Sequence, residues 1–276
     1  MEKLEAALAK ARELRKTALG STPGTPREKQ SAGVAAPVDW SDLPEIEIAP
    51  ERARRNRISA LLGGVDATPY DMLRSRTIRQ MKDKGWRRLA ITSPGAACGK
   101  TTISINLALS LSRQKDLKVM LIDLDVRRPS INKQLNYQPK HSFHEVLEGK
   151  ARFEDQAVRI GDNLIVATNN SASRHPSELL QSVATREALD RIEAAWQPDI
   201  MIFDMSPMLA SDDNVGFLGN VDCALLIAAA ESTTLPNIDV CEKELAGLTN
   251  VLGIALNKCR YSDNSVGYDY AYGTYG

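Results

Sequence analysis

The sequence predicts an α/β fold: a doubly wound, mostly parallel sheet with helices on both faces, plus an N-terminal helix and a flexible tyrosine-rich tail. Three observations carry that expectation. From about Tyr70 onward, short runs of Val, Ile and Leu with both faces apolar alternate with helical stretches, the pattern of parallel strands covered on both sides. The first run leads into a glycine-containing loop that opens a helix. Two later runs end in aspartate, which puts carboxylates at the strand ends where such sheets bind ligands.

Each element follows from its local text. Residues 1–20 read as a docking helix, with Leu4, Leu8, Ala11 and Leu14 on one face and Gly20 as a stop, and so short a helix is marginal in water without a partner. Residues 21–60, rich in Pro, Gly, Ser and Thr and then in acids, read as a flexible linker. The catalytic domain is expected over 61–260. Its strands are Arg88 to Thr92, Lys118 to Ile122, Leu164 to Ala167, Ile200 to Phe203, Ala224 to Ala229 and Val251 to Leu256. Helices are expected at Lys100 to Arg113, His141 to Leu147, Thr185 to Ala195 and Pro236 to Ala246. Residues 261–276 are expected to be a disordered tyrosine cluster.

Composition excludes several classes. Lys plus Arg and Asp plus Glu are both 35, so no net basic field argues for nucleic acid as a partner. The longest apolar run, Cys223 to Ala230, is far short of the ~20 residues of a membrane span. No secretory signal opens the text, so a cytoplasmic protein is expected. The four cysteines show no C-x-x-C pair, which argues against a disulfide framework or a structural zinc.

The loop is "TSPGAACGKTT", residues 92 to 102, with the Gly99-Lys100-Thr101 ending of a phosphate-binding loop and Pro94 where the strict pattern has glycine. The backbone N–H groups of Gly95, Ala97, Cys98 and Gly99, together with the positive end of the helix dipole, suit an anion. Lys100 adds charge at the outer phosphates of a nucleotide, and Thr101 and Thr102 continue the cradle, with Thr101 placed to ligand Mg²⁺. Cys98 is either a small residue that fits the loop or an oxidisable thiol that would block phosphate entry.

Two further carboxylate-bearing strand ends complete the pattern of a nucleotide site. The second strand runs into Asp123-Leu124-Asp125, whose aspartates share one side of an extended segment. Ile200 to Phe203 ends in Asp204, where a carboxylate can hold a metal. One aspartate of the pair can serve Mg²⁺ while the other accepts a proton from an attacking hydroxyl, a division of labour that transfer to an acceptor requires. An acceptor is at hand in the tail: Tyr261, Tyr268, Tyr270, Tyr272 and Tyr275 are five of the seven tyrosines.

In order and spacing, "ITSPGAACGKTTISINLALSLS", "VMLIDLDVRRPS", "FHEVLEGKARFED", "HPSELL", "IMIFDMSPML" and "GIALNKCR" before a tyrosine cluster resemble the bacterial tyrosine kinases of capsule and exopolysaccharide systems, in the form without its own membrane anchor. The resemblance covers about Pro69 to the end. It implies ATP and Mg²⁺ as cofactors, with Lys100 and Thr101 on the phosphates and metal, and Asp125 and Asp204 serving the metal. By the same resemblance Asp123 is the base, Asn257 lies near the adenine, and the tail tyrosines are the phosphoacceptors in trans. It further implies a homo-oligomer, a membrane-bound chain-length or co-polymerase adaptor that recruits the protein to the inner face of the plasma membrane, and an opposing tyrosine phosphatase. The family's E-x-x-R-x-x-R oligomer helix falls on Tyr70, Leu73 and Arg76, where the last position alone matches. A partition or positioning ATPase of the same fold, and a nucleotide-dependent scaffold without kinase activity, remain open as alternatives.

Overall fold

The structure is a computed structural model that describes residues 38–259. The predicted docking helix and the tyrosine tail lie outside the described residues, as does the stretch 21–37. Within them the chain forms α1 (Pro50–Arg55), α2 (Ser59–Leu62), α3 (Thr68–Lys84), β1 (Arg88–Thr92), α4 (Lys100–Ser112), β2 (Val119–Leu124), α5 (Ile131–Leu135) and α6 (Phe143–Leu147). It continues with β3 (Val158–Ile160), β4 (Leu164–Ala167), α7 (Pro176–Gln181), α8 (Val183–Trp196), β5 (Ile200–Met205), α9 (Asp213–Phe217), β6 (Cys223–Ala229), α10 (Leu235–Leu248) and β7 (Asn250–Asn257).

The seven strands form one sheet in the order β3-β4-β2-β5-β1-β6-β7. Every pairing is parallel except β3 with β4. Strand residues of β1, β2, β4, β5 and β6 are buried throughout, as expected where helices cover both faces and each strand can be apolar on both sides. One core packs Phe143, Trp196, Phe203 and Phe217 on one face of the sheet. The other packs Met81, Ile105, Leu107 and Leu111 of α3 and α4 on the opposite face. The six expected strands are all present, and β1 and β4 keep their expected bounds.

The flexible linker expected to run to residue 60 does not describe 38–60. Trp40, Leu43, Ile48, Ala53 and Ile58 are buried there. The Trp40 indole donates to the Trp196 carbonyl at 2.8 Å, and Glu45 bridges Arg159 along β3. Isolated hydrophobes spaced among Pro, Asp and Glu give no helical or strand period, so local pattern hides a segment that tertiary packing orders.

The central helix α4 is nearly surrounded by protein, and its polar residues are paired rather than solvated. Asn106 accepts from the Ala60 amide and donates to the Arg57 carbonyl, both at 2.9 Å. Ser110 donates to Asp71 at 2.7 Å. Those bonds fasten α2 and α3 to the helix whose first turn carries Lys100 and Thr101, with the buried donors and acceptors satisfied as burial demands. Among the described residues no helix is long and apolar enough to cross a membrane.

Candidate nucleotide site

The loop between β1 and α4 sits at the carboxyl end of β1, which lies between β5 and β6. Its path is held by short bonds: Ser93 Oγ donates to the Gly95 carbonyl at 2.8 Å, the Met208 amide to Ser93 O at 2.8 Å, and the Leu209 amide to Pro94 O at 3.1 Å. Ala97 and Gly99 both adopt left-handed backbone, with φ of 60° and 91°. That conformation strains alanine and suits glycine. A second constraint also reserves position 99, because a Cβ there would lie 2.2 Å from Asn257 Nδ2. Asn257 itself donates to the Cys98 carbonyl at 2.8 Å, so the end of β7 latches the loop. The Cys98 thiol is buried and faces Thr233 Oγ1 at 3.6 Å.

The charged residues meet at the first turn of α4. Lys100 Nζ donates to Asp125 Oδ2 at 2.7 Å and lies 3.9 Å from Asp204 Oδ2. Burial alone would lower its pKa, but the Asp204 and Asp125 carboxylates outweigh it and the net shift is upward. Thr101 Oγ1 donates to Asp204 Oδ2 at 2.7 Å, and Ser104 Oγ lies 3.1 Å from the other Asp204 oxygen.

Asp123 is fully buried, and its Oδ2 accepts the Ser130 and Ile131 amides at 3.1 Å each. Its Oδ1 is buried without a partner. Burial first and the neighbouring Asp204 charge second push its pKa up to about 8. Asp204 shifts upward too, chiefly through burial. Three carboxylates crowd one lysine, so ionising all of them leaves an excess of negative charge that a bound cation would offset.

Among the described residues no three His, Cys, Asp or Glu side chains form a self-sufficient metal cage. Mg²⁺ keeps waters and takes one or two carboxylates together with substrate phosphates. The oxygens of Thr101 and Asp204, with the unpartnered Asp123 Oδ1 nearby, are hard donors of the right kind.

Sequence reasoning missed the supporting residues. Ser130 Oγ donates to Thr101 Oγ1 at 3.2 Å, and Asn169 Nδ2 donates to the Asp123 backbone carbonyl at 2.8 Å. Arg127 makes a two-pronged pair with the buried Asp213, at 2.7 and 3.0 Å, and donates to Ser177 at 2.9 Å. Ser130 before α5 had a readable signal as the residue preceding a helix. The Arg127–Asp213 pair, 86 positions apart in sequence, had none.

A doubly wound parallel sheet, a Gly-Lys-Thr loop opening a buried helix and aspartates on the two adjacent strand ends define a P-loop NTPase. Residues 87–230, just over half of the chain, match the AAA domain family. The tyrosine-protein kinase YwqD of Bacillus subtilis is 30% identical over 216 residues, covering 77% of this chain and 87% of its own. The tyrosine-protein kinase Etk of Escherichia coli is 31% identical over 172 residues, 61% of this chain but 23% of Etk. The solved kinase domain of that enzyme superposes with a TM-score of 0.68 at 27% identity, over 83% of this chain and 87% of that domain. The chain belongs to the bacterial tyrosine-protein kinases, a P-loop family that carries the AAA domain.

Proposed function

We propose that the protein is an ATP-dependent tyrosine autokinase that transfers the γ-phosphoryl group to Tyr261, Tyr268, Tyr270, Tyr272 and Tyr275 and so regulates polymerisation and export of an exopolysaccharide or capsule. The convergence of Lys100, Thr101, Asp123, Asp125 and Asp204 carries the reading. ATP supplies the phosphoryl group, and Mg²⁺ supplies the positive charge that offsets its oxygens. Lys100 and the amides of Gly95, Ala97, Cys98, Gly99 and Thr102 hold the phosphates. Thr101, Asp125 and Asp204 hold the metal, and Asn257, beside the loop through Cys98, lies against the base.

Asp123 accepts the phenolic proton as the tyrosine oxygen attacks. Its two amide donors hold Oδ2, leaving Oδ1 as the oxygen without a partner that can take the proton. Lys100 stabilises the charge that leaves with the departing phosphate, an electrostatic role that dominates phosphoryl transfer. The tail is delivered by a neighbouring copy in a homo-oligomer, and a membrane co-polymerase adaptor recruits the chain to the inner face of the plasma membrane. A tyrosine phosphatase reverses the modification.

The test is mass spectrometry of the C-terminal peptide after incubation of the purified chain with Mg-ATP. Phosphate is expected on the tail of the wild type and reduced by about 10²-fold or more in Asp123→Asn, the range for loss of a general base. ATP hydrolysis without phosphotyrosine, with adaptor supplied, would instead indicate a positioning-type ATPase.

A further inference from the structure

Most of the cations near the site already have partners. Lys100 is held by Asp125 and Arg127 by Asp213, with Asp212 3.8 Å away. His141 faces Glu145 at 3.3 Å. Three others do not: Arg128, Lys140 and Arg174 are exposed, and none has an ion-pair partner among the described residues. They lie on three different loops, 125–130 after β2, 136–142 between α5 and α6, and 168–175 after β4.

Those loops are laced into one rim. The Ser173 amide donates to the Val126 carbonyl at 2.9 Å. Asn170 Nδ2 donates to the Pro139 carbonyl at 3.0 Å, and Ser142 Oγ to Asn170 Oδ1 at 2.6 Å. The rim is continuous with Asp123, because the 125–130 loop delivers the Ser130 amide to Asp123 Oδ2 and the 168–175 loop delivers Asn169 to its carbonyl. Unpaired positive charge therefore borders the carboxylate assigned to the acceptor hydroxyl. The carboxylates of the same border are engaged: Asp213 by Arg127, Asp212 by Ser177 at 2.7 Å, and Glu145 by the Ser142 amide at 2.9 Å. Glu178, the remaining one, acts on Arg127.

The chain contains a matching ligand. Residues 261–276 carry two aspartates, Asp263 and Asp269, and no lysine or arginine; both aspartates lie within two residues of a tyrosine. We propose that Arg128, Lys140 and Arg174 form the docking rim for this acidic tyrosine segment, drawing it by charge so that its tyrosines reach Asp123. Rim charges of this kind act through steering and salt-sensitive capture more than through tight contact. Each phosphate added brings about 1.5 to 2 further negative charges, so the phosphorylated segment binds the rim more tightly than the unmodified one. The purpose of the rim rests on the acceptor reading; the docking itself does not.

The experiment uses the full chain and a fluorescent peptide of residues 261–276, with binding read by anisotropy at about 50 and 300 mM salt, where screening differs strongly. The triple change Arg128→Ser, Lys140→Ser and Arg174→Ser is expected to weaken the peptide roughly tenfold at low salt and to flatten the salt dependence, with nucleotide affinity as the folding control. A peptide with Asp263→Asn and Asp269→Asn should lose affinity for the wild type in the same way. Equal binding by both proteins, equal binding of both peptides, or no binding to the wild type overturns the proposal. Peptide binding that depends on the rim, without phosphotyrosine in the wild type, removes the kinase reading and leaves the docking rim standing.

Discussion

Asp123 is the residue whose chemistry depends most on its surroundings. Buried beside Asp204, it is pushed up to about 8 from an ordinary 3.8. The unfolded chain releases this proton near pH 4 while the folded, metal-free chain retains it until about pH 8, so over that interval the folded state binds more protons. The stability that this difference contributes is full below about pH 4 and is lost progressively as pH rises to about 8. Thermal melts of the metal-free protein should therefore show a midpoint that falls across that range, and Asp123→Asn should flatten the fall. A wild type and variant with parallel profiles would show that the proton resides elsewhere. The loop tolerates Pro94 because its path is held by Gly99, Asn257 and the Met208 and Leu209 amides rather than by an extra glycine.

At the scale of elements, the segment before α1 belongs to the domain it precedes. Trp40 is 3% exposed, bonds to Trp196 at the end of α8 and lies under Lys118, whose Nζ is 5.3 Å from its ring. Trp40→Ala removes a large buried ring and strands the Trp196 carbonyl, so urea denaturation should show a loss of about 3 to 5 kcal/mol. A cost under about 1 kcal/mol would mean that the segment is loosely held. This segment also marks the limit of what sequence pattern conveys. The strands β1, β4 and β6 were legible because each is a run of apolar residues buried on both faces. The triad Lys100, Asp125 and Asp204 was legible because each residue follows directly from such a run or its loop. By contrast β3 has three residues, and α5, α7 and α9 are too short to show a helical period. The Trp40–Trp196 and Arg127–Asp213 contacts join positions 156 and 86 apart, and such pairings exist only once the sheet has assembled.

For the whole molecule the balance of charge is the sensitive quantity. The chain has zero formal net charge, and phosphate on all five tail tyrosines would add on the order of 8 to 10 negative charges. Replacing those five tyrosines by Phe should abolish phosphotyrosine and the acidic shift on isoelectric focusing while leaving ATP affinity unchanged; a shift that persists would place the acceptor elsewhere. The helix that corresponds to the family's oligomer motif also behaves differently at this scale. Tyr70 and Leu73 of α3 turn toward the core and Arg74 is spent on Asp71 and Ser110, so of the three motif positions Arg76 alone is exposed to a neighbouring copy. Finally, the described chain reaches the sheet at its β3 edge through Pro44 to Ile46 and departs from the far edge at β7. Six strand spacings of about 4.8 Å separate the two, roughly 29 Å. A fluorophore attached at Glu45 would thus sit remote from one attached at Leu256, and immobilising the protein through its β3 edge would leave the β7 edge open to solution.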